Sequence, residues 1–220
     1  MRVLDLYCCQ GAATAGYQRA GFNEVHGVDK DPQPRYVGAV FHCADAIEFV
    51  RQRLEWIRGN FAFIHASPPC QHDSDCQRIQ GRDHPDLIGP TREVLELTGL
   101  PYVIENVGGA EVKLKDPVEL CGAMFGLRTY RHRYFEAGGG FSFEAPEHPP
   151  HLHRTVKMGR PLKPGDFYHA VGNFSNVPYV REDIGVPWMS RDGIRECIPP
   201  AYAEYIGRQF MQQLIKKEAS

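Results

Sequence analysis

Ser67-Pro68-Pro69-Cys70-Gln71 places a single thiol just past an apolar run, Phe61 to Ala66, that reads as a buried strand. A group at the carboxyl end of such a strand sits where open α/β sheets bind their ligands. Pro68 and Pro69 fix φ on the approach, so the sulfur is presented on a stiff loop. That is the setting a nucleophilic cysteine requires. Cys8, Cys9, Cys43, Cys121 and Cys197 lack it and read as core packing. A second apolar run, Leu100 to Ile104, delivers Glu105-Asn106-Val107, and Arg131-His132-Arg133 follows. Thiol, carboxyl and guanidinium together could add a nucleophile, supply a proton and hold a developing oxyanion. Glu105 as a strand-end cap and Arg133 as a structural ion pair are the competing readings.

The elements that must position these groups alternate regularly. Val3 to Tyr7, Glu24 to Val28, a short stretch at His42-Cys43, and the runs before Cys70 and Glu105 read as strands. Ala12 to Ala20, Pro32 to Val40, Ala46 to Arg58 and Pro90 to Thr98 read as the helices between them. Such alternation predicts βαβ units and an α/β fold, Rossmann-like, with a mostly parallel central sheet. Right-handed crossovers then bring Tyr7, Asp29, Cys70 and Glu105 to one edge. From Lys113 the rhythm breaks, and Glu136 to Pro187 reads as a small irregular insertion lobe. Its aromatics, Phe141, Phe143, Phe167, Tyr168 and Phe174, are expected to form a satellite core. Pro199-Pro200 opens a last helix, Ala201 to Lys216. The division expected is residues 1–135 as core, 136–187 as insertion and 188–220 as a segment returning to the core.

After the first strand, Cys8 to Gly16 is rich in small residues turning into a helix, which lets a ligand lie against backbone amides. It lacks both the P-loop ending and the dinucleotide glycine pattern, so it does not advertise a polyphosphate. Asp29 is placed to accept ribose hydroxyls, with a helix cap as the alternative, and Asp45 reads first as a cap for the helix from Ala46. A nucleoside without polyphosphate fits, and S-adenosylmethionine is the cofactor expected.

These residues resemble those of the DNA (cytosine-5)-methyltransferases. Asp5-Leu6-Tyr7-Cys8-Cys9-Gln10-Gly11 with Ala20-Gly21-Phe22 is similar to that family's first motif, and Ser67 to Gln71 to its nucleophile motif. Glu105-Asn106-Val107 resembles the acid motif, Thr129 to Phe135 the paired-arginine motif, and Ile198 to Gly207 the final one. All five occur in family order. The resemblance implies Cys70 as nucleophile, Glu105 as acid, Arg133 on the base oxygen and Arg131 supporting the acid or a phosphate. It further implies Asp5, Tyr7, Gly11, Asp29, Asp45 and Pro69 around the cofactor, and DNA as partner through a flipped cytosine. Gln71 to Pro85 is then a candidate closing loop. Ala12 and Ala13 stand where the family favours glycine, and Thr129 where it favours glutamine. The region from Phe135 to Pro187 is far shorter than the family's target-recognition domain, so little sequence discrimination is expected.

The 220 residues, a formal net charge of -2 and 7 cysteines without Cys-x-x-Cys spacing predict one reduced core with an excursion. No apolar leader or membrane-length stretch is read in the sequence, so a cytoplasmic, monomeric chain with no membrane partner is expected. Basic residues between Arg128 and Lys163 outnumber the acids there and suit phosphates, or else form a solvated loop. His148-Pro149-Pro150-His151-Leu152-His153, with Cys121 or Cys76 as a distant fourth ligand, lacks paired metal spacing. Phosphate or solvent contact, and no metal, is expected there. The same chemistry on RNA, a tRNA cytosine included, is the nearest alternative. A non-catalytic nucleic-acid-binding relative comes next, and a nicotinamide oxidoreductase is a distant third.

Overall fold

The computed structural model describes residues 1–69, 86–157 and 159–218. Five parallel strands form its backbone: β1 (Arg2–Leu6), β2 (Glu24–Asp29), β3 (Val40–Cys43), β4 (Phe63–Ala66) and β5 (Tyr102–Asn106). Two more, β6 (Val118–Leu120) and β7 (Arg133–Gly138), complete the sheet in the order β3-β2-β1-β4-β5-β7-β6. β7 is antiparallel to both neighbours. The order reverses between β1 and β4, and the crevice beyond the carboxyl ends of those strands is where open α/β sheets take ligands.

Near-continuous apolar runs make strands buried on both faces. Leu4, Leu6, Ile64, Ala66 and Ile104 pack on one face against α2 (Ala46–Gln52), α3 (Leu54–Asn60) and α4 (Ile88–Thr98). Val3, Val25, Phe63, Val103 and Phe135 pack on the other against α1 (Ala12–Ala20) and the long last helix, Pro200–Glu218. That last helix crosses α1 so closely that a Cβ on Gly16 would lie 2.2 Å from the Pro200 carbonyl oxygen. Gly16 is therefore small for helix packing. A third cluster, with Tyr168, Phe174, Val180 and Ile194, lies between the start of α1 and two short helices, α5 (Val177–Ile184) and α6 (Arg191–Glu196). The last helix, α7, closes the chain. Among the described residues no helix is long and apolar enough to cross a membrane.

Several expectations differ from what is observed. Pro32 to Val40 is not a helix, because Pro34 biases Gln33 away from helical ψ and Gly38 adds freedom. Its Tyr36 instead lays its ring on the Gly27 backbone of β2, where a Cβ would stand 2.5 Å from it. The helix expected over 46–58 breaks at Arg53, which takes φ -123 and ψ 23 with its guanidinium over the Phe49 ring. The aromatics of the insertion do not form one satellite core. Phe141 and Phe143 join the main core beside Phe63 and Phe135, whereas Tyr168 and Phe174 pack with α5. The boundary expected at 135/136 falls inside β7.

β7 is locked in place by a charge pair. Arg92 of α4 donates to both carboxylate oxygens of Glu136 at 2.7 and 2.6 Å, and the Lys115 amide donates to the same carboxylate at 2.8 Å. Glu136 is 1% exposed. Glu136→Ala is expected to strand the Arg92 charge and to cost about 3–5 kcal/mol of unfolding free energy. Urea denaturation of variant and parent measures it.

Candidate active site

Two groups of side chains meet at the carboxyl edge of the sheet. The first lies on the loop after β1, where Tyr7, Cys9 and Gly11 all have positive φ (60, 46 and 83). Two of the three are not glycine, so the turn is strained and must be held by its surroundings. The Cys9 amide donates to Asp29 Oδ2 at 2.9 Å, and Asp29 Oδ1 accepts the Asp31 amide at 3.0 Å. The Trp188 indole donates to the Gln10 carbonyl at 2.8 Å, and the Gln10 side chain bonds Ser190. Gly11 then caps α1 in the left-handed region. Around this loop the acids Asp29, Asp45 and Glu196 outnumber the Arg195 guanidinium; burial, and after it Asp192 and Asp29, raise the Glu196 carboxyl against the Arg195 charge. An acidic surround repels a pyrophosphate and suits a cationic ligand.

The second group lies at the ends of β4, β5 and β7. In the parallel pairing Ala66 is beside Ile104, so Ser67 and Glu105 follow as neighbours. In the antiparallel pairing Glu105 is opposite Phe135, which sets Arg133 as its diagonal neighbour on the same face. Arg133 Nε donates to Glu105 Oε1 at 2.9 Å. Glu105 is 6% exposed. Burial raises its proton affinity above the usual carboxylate range, opposed by the Arg133 charge and by a hydrogen bond from Ser67.

Ser67 ends a buried relay. The Tyr17 hydroxyl is 2.9 Å from His65 Nδ1, and His65 Nε2 is 2.9 Å from Ser67 Oγ. Burial lowers the His65 pKa to about 3, so the ring is neutral and has one donor and one acceptor nitrogen. With Tyr17 donating to Nδ1, Nε2–H donates to Ser67, which leaves the serine proton for Glu105. Asn106 Nδ2 donates to the Pro68 carbonyl at 3.1 Å and ties the Pro68-Pro69 loop to β5. Sequence reading assigned no role to His65, Ser67 or Asn106. The signal available was three polar residues at the inner ends of apolar runs.

The residues singled out from sequence thus fall into different places. Tyr7, Gly11 and Asp29 gather at the β1 and β2 ends, and Glu105 and Arg133 pair beside the strand that leads through Pro69. Cys70, Cys76 and the segment to Pro85 lie outside the described residues. Asp5 is 1% exposed beneath the first loop, with Thr14 Oγ1 at 2.6 Å and a pKa raised to about 7 by burial. It anchors α1 and is closed to a ligand. The Tyr7 hydroxyl is 2.8 Å from Thr91 Oγ1, and Asp45 accepts the Glu48 amide as cap of α2. Arg131 is bonded to backbone carbonyls rather than to the acid, and its charge favours the Glu105 carboxylate less than that of Arg133 does. It is half-buried with φ 32, and its guanidinium donates to the carbonyls of Ala170, Ile194, Arg195 and Cys197. Those carbonyls include the C-terminal end of α6, where a cation completes the helix. The histidines expected to meet phosphate or solvent, His148, His151 and His153, are exposed. His148 and His151 stand with Cys121 and His132, the four ligand atoms within 4.8 Å of one another.

No model of a protein family matches the chain, and no curated protein matches it. Among solved structures it is similar to a putative DNA modification methyltransferase encoded within a prophage of E. coli. The TM-score is 0.68 at 16% identity, over 98% of this chain and 99% of that one. It is also similar to the S. pombe Dnmt2 methyltransferase, with a TM-score of 0.44 at 16% identity over 66% of this chain and 51% of that one. No argument rests on the second. The first shows a shared fold along the whole chain, an α/β architecture with a largely parallel sheet flanked by helices.

The two arginines are expected to behave differently on substitution. Arg131→Lys loses a planar fork that serves four buried carbonyls, at about 2–4 kcal/mol. Arg133→Lys keeps a cation beside Glu105 and should lower the denaturation midpoint less. Equal losses in urea would contradict these assignments.

Proposed function

We propose that the chain is an S-adenosylmethionine-dependent methyltransferase acting at C5 of cytosine in DNA, through a covalent adduct of Cys70 with a flipped base. The observation that carries this reading is the buried Glu105–Arg133 pair beside the strand that runs through Pro69 into Cys70. An acid of raised proton affinity at the ligand edge of the sheet supports a catalytic role over a scaffold. The whole-length likeness to a putative DNA modification methyltransferase supports DNA as the substrate.

The residues at the β1 and β2 ends fit the cofactor. The Asp29 carboxylate and the acids around the strained loop suit a nucleoside that bears a sulfonium and an ammonium and no phosphate. Tyr7, Gly11, Asp29, Asp45 and Pro69 would line its site, with Asp5 holding the loop from below. When bound, it supplies an electrophilic methyl group.

C5 of cytosine is a poor nucleophile, and the work of the protein residues is to change that. The Cys70 thiolate forms a bond to C6, and the electron pair of the C5–C6 double bond is driven into the ring. Glu105 gives a proton to N3, and Arg133 donates to the O2 oxygen, holding charge where it develops. After methylation at C5 a base removes the C5 proton, the C5–C6 double bond re-forms, the thiolate leaves and N3 returns its proton to Glu105. Arg133 also keeps the Glu105 carboxylate tolerable in its buried position while the proton is on N3. Ser67, fed by Tyr17 and His65, orients the carboxyl.

DNA carrying 5-fluorocytosine is expected to trap the chain through Cys70 in the presence of cofactor, with the adduct located by peptide mass spectrometry. A matched tRNA should give none, and trapping on tRNA alone would move the substrate to RNA. Cys70→Ser should abolish turnover while leaving cofactor affinity nearly intact. Glu105→Gln should cost about 10²–10⁴ in rate and little in affinity. The pH profile carries a further expectation. Because burial raises Glu105, its donating form persists above the usual carboxylate range and is lost as pH rises. The single-turnover rate should therefore fall on the alkaline side. Ser67→Ala, which removes a donor to the charged form, should move that limb to higher pH, and Glu105→Gln should abolish it.

A further inference from the structure

Cys121, His132, His148 and His151 come from three separate places in the chain. Their ligand atoms nevertheless lie within 4.8 Å of one another. The sheet register accounts for two of them. Leu120 is opposite Arg133 in the antiparallel β6–β7 ladder, and continuing that register by one residue sets Cys121 opposite His132. Alternation along β7 then sends His132 to the face opposite Arg133. The other two arrive on the strap that follows β7, where residues 142–154 have no regular secondary structure.

The strap is held over this edge of the sheet. The Tyr130 ring stacks on His151 at 3.6 Å, and the Tyr130 hydroxyl donates to the His153 carbonyl at 2.8 Å while accepting the His153 amide at 2.9 Å. Cys121 Sγ lies 3.4 Å from His151 Nε2. Tetrahedral zinc with bonds of about 2.3 Å to sulfur and 2.05 Å to nitrogen requires about 3.6 Å along that edge. The outer partners are those of metal-bound imidazoles. His148 Nδ1 is 2.9 Å from the Pro149 carbonyl, which leaves its Nε2 lone pair free to ligate, and His132 Nε2 is 3.5 Å from Glu119.

We propose that Cys121, His132, His148 and His151 form a closed, structural zinc site that staples the strap of the insertion to the β6–β7 edge. One thiolate and three imidazoles complete a tetrahedron, which favours zinc over hard oxygen-seeking cations and leaves no position for a water or substrate. The role is therefore structural. The strap, in which none of residues 144–154 is buried, gains from a metal what it lacks in core, as small domains do. The site stands whether or not the chain methylates cytosine. Where it does, the staple fixes the residue directly before Arg133.

Full-length chain, purified without a histidine tag, is expected to carry close to one zinc per molecule by elemental analysis. After chelation, added cobalt should give the intense visible bands of a tetrahedral site and a near-ultraviolet thiolate band. Cys121→Ser should remove the thiolate band. His148→Ala with His151→Ala should lose the metal while circular dichroism keeps the sheet and helices, since both histidines are exposed on the strap. Absence of both zinc and cobalt bands in the parent overturns the proposal. So does undiminished zinc in the double variant.

Discussion

A carboxylate enclosed in a sheet keeps its charge only if a cation is enclosed with it, and the placement of β7 answers that demand twice. Running antiparallel between β5 and β6, it sets Arg133 diagonal to Glu105 on one face. On the other face it carries Glu136 to Arg92 of α4. The same six residues therefore join the reactive edge to the helix layer behind it. Had β7 followed the parallel pattern of β1 to β5, its amino end would lie at the far edge of the sheet, and Arg133 with it.

The two groups at the carboxyl edge depend on opposite electrostatics. The loop after β1 is strained at Tyr7 and Cys9 and held by acids and by hydrogen bonds from the segment before α6, so a cationic ligand is at home there. The pocket of Glu105 is apolar enough to raise a carboxyl and just cationic enough to tolerate it. Between them runs the short loop Ser67 to Pro69, bonded to β5 through Asn106 and to α1 through His65 and Tyr17. The Glu105 carboxyl, the Ser67 to Pro69 loop and the turn after β1 thus share one frame.

Much of the first half was legible because buried parallel strands write themselves as short apolar runs, and the edges that end them as polar residues. β1, β2, β4 and β5 and the helices α1 and α4 all follow that rule, and Glu105 and Asp29 were found at their ends. Pro32 to Val40 was misleading, since its apolar spacing mimics a helix while Pro34 and Gly38 oppose one. β6 and β7 were not legible at all. Tyr134 and Glu136 face one side and Phe135 the other, but the run is short and sits in a stretch whose prolines and glycines signal loop. Arg131 reads locally like Arg133, and only the approach of Ile194 to Cys197 turns it into a bracket for backbone carbonyls. The histidines of 148–153 also gave a weak signal, because their two partners, Cys121 and His132, stand at the ends of strands that sequence did not reveal.

What the amino-acid order determined by itself is local: which runs bury, where helices start and stop, and which reactive groups stand at strand ends. Periodicity and backbone preference act over a few residues, so they survive without knowledge of neighbours. Pairing decided the rest. Glu105 became a paired acid, Arg131 a structural clamp and Cys121 a neighbour of three imidazoles through registers between segments distant in the chain. Such registers are chosen by the packing of whole faces, and no short window of sequence contains both partners.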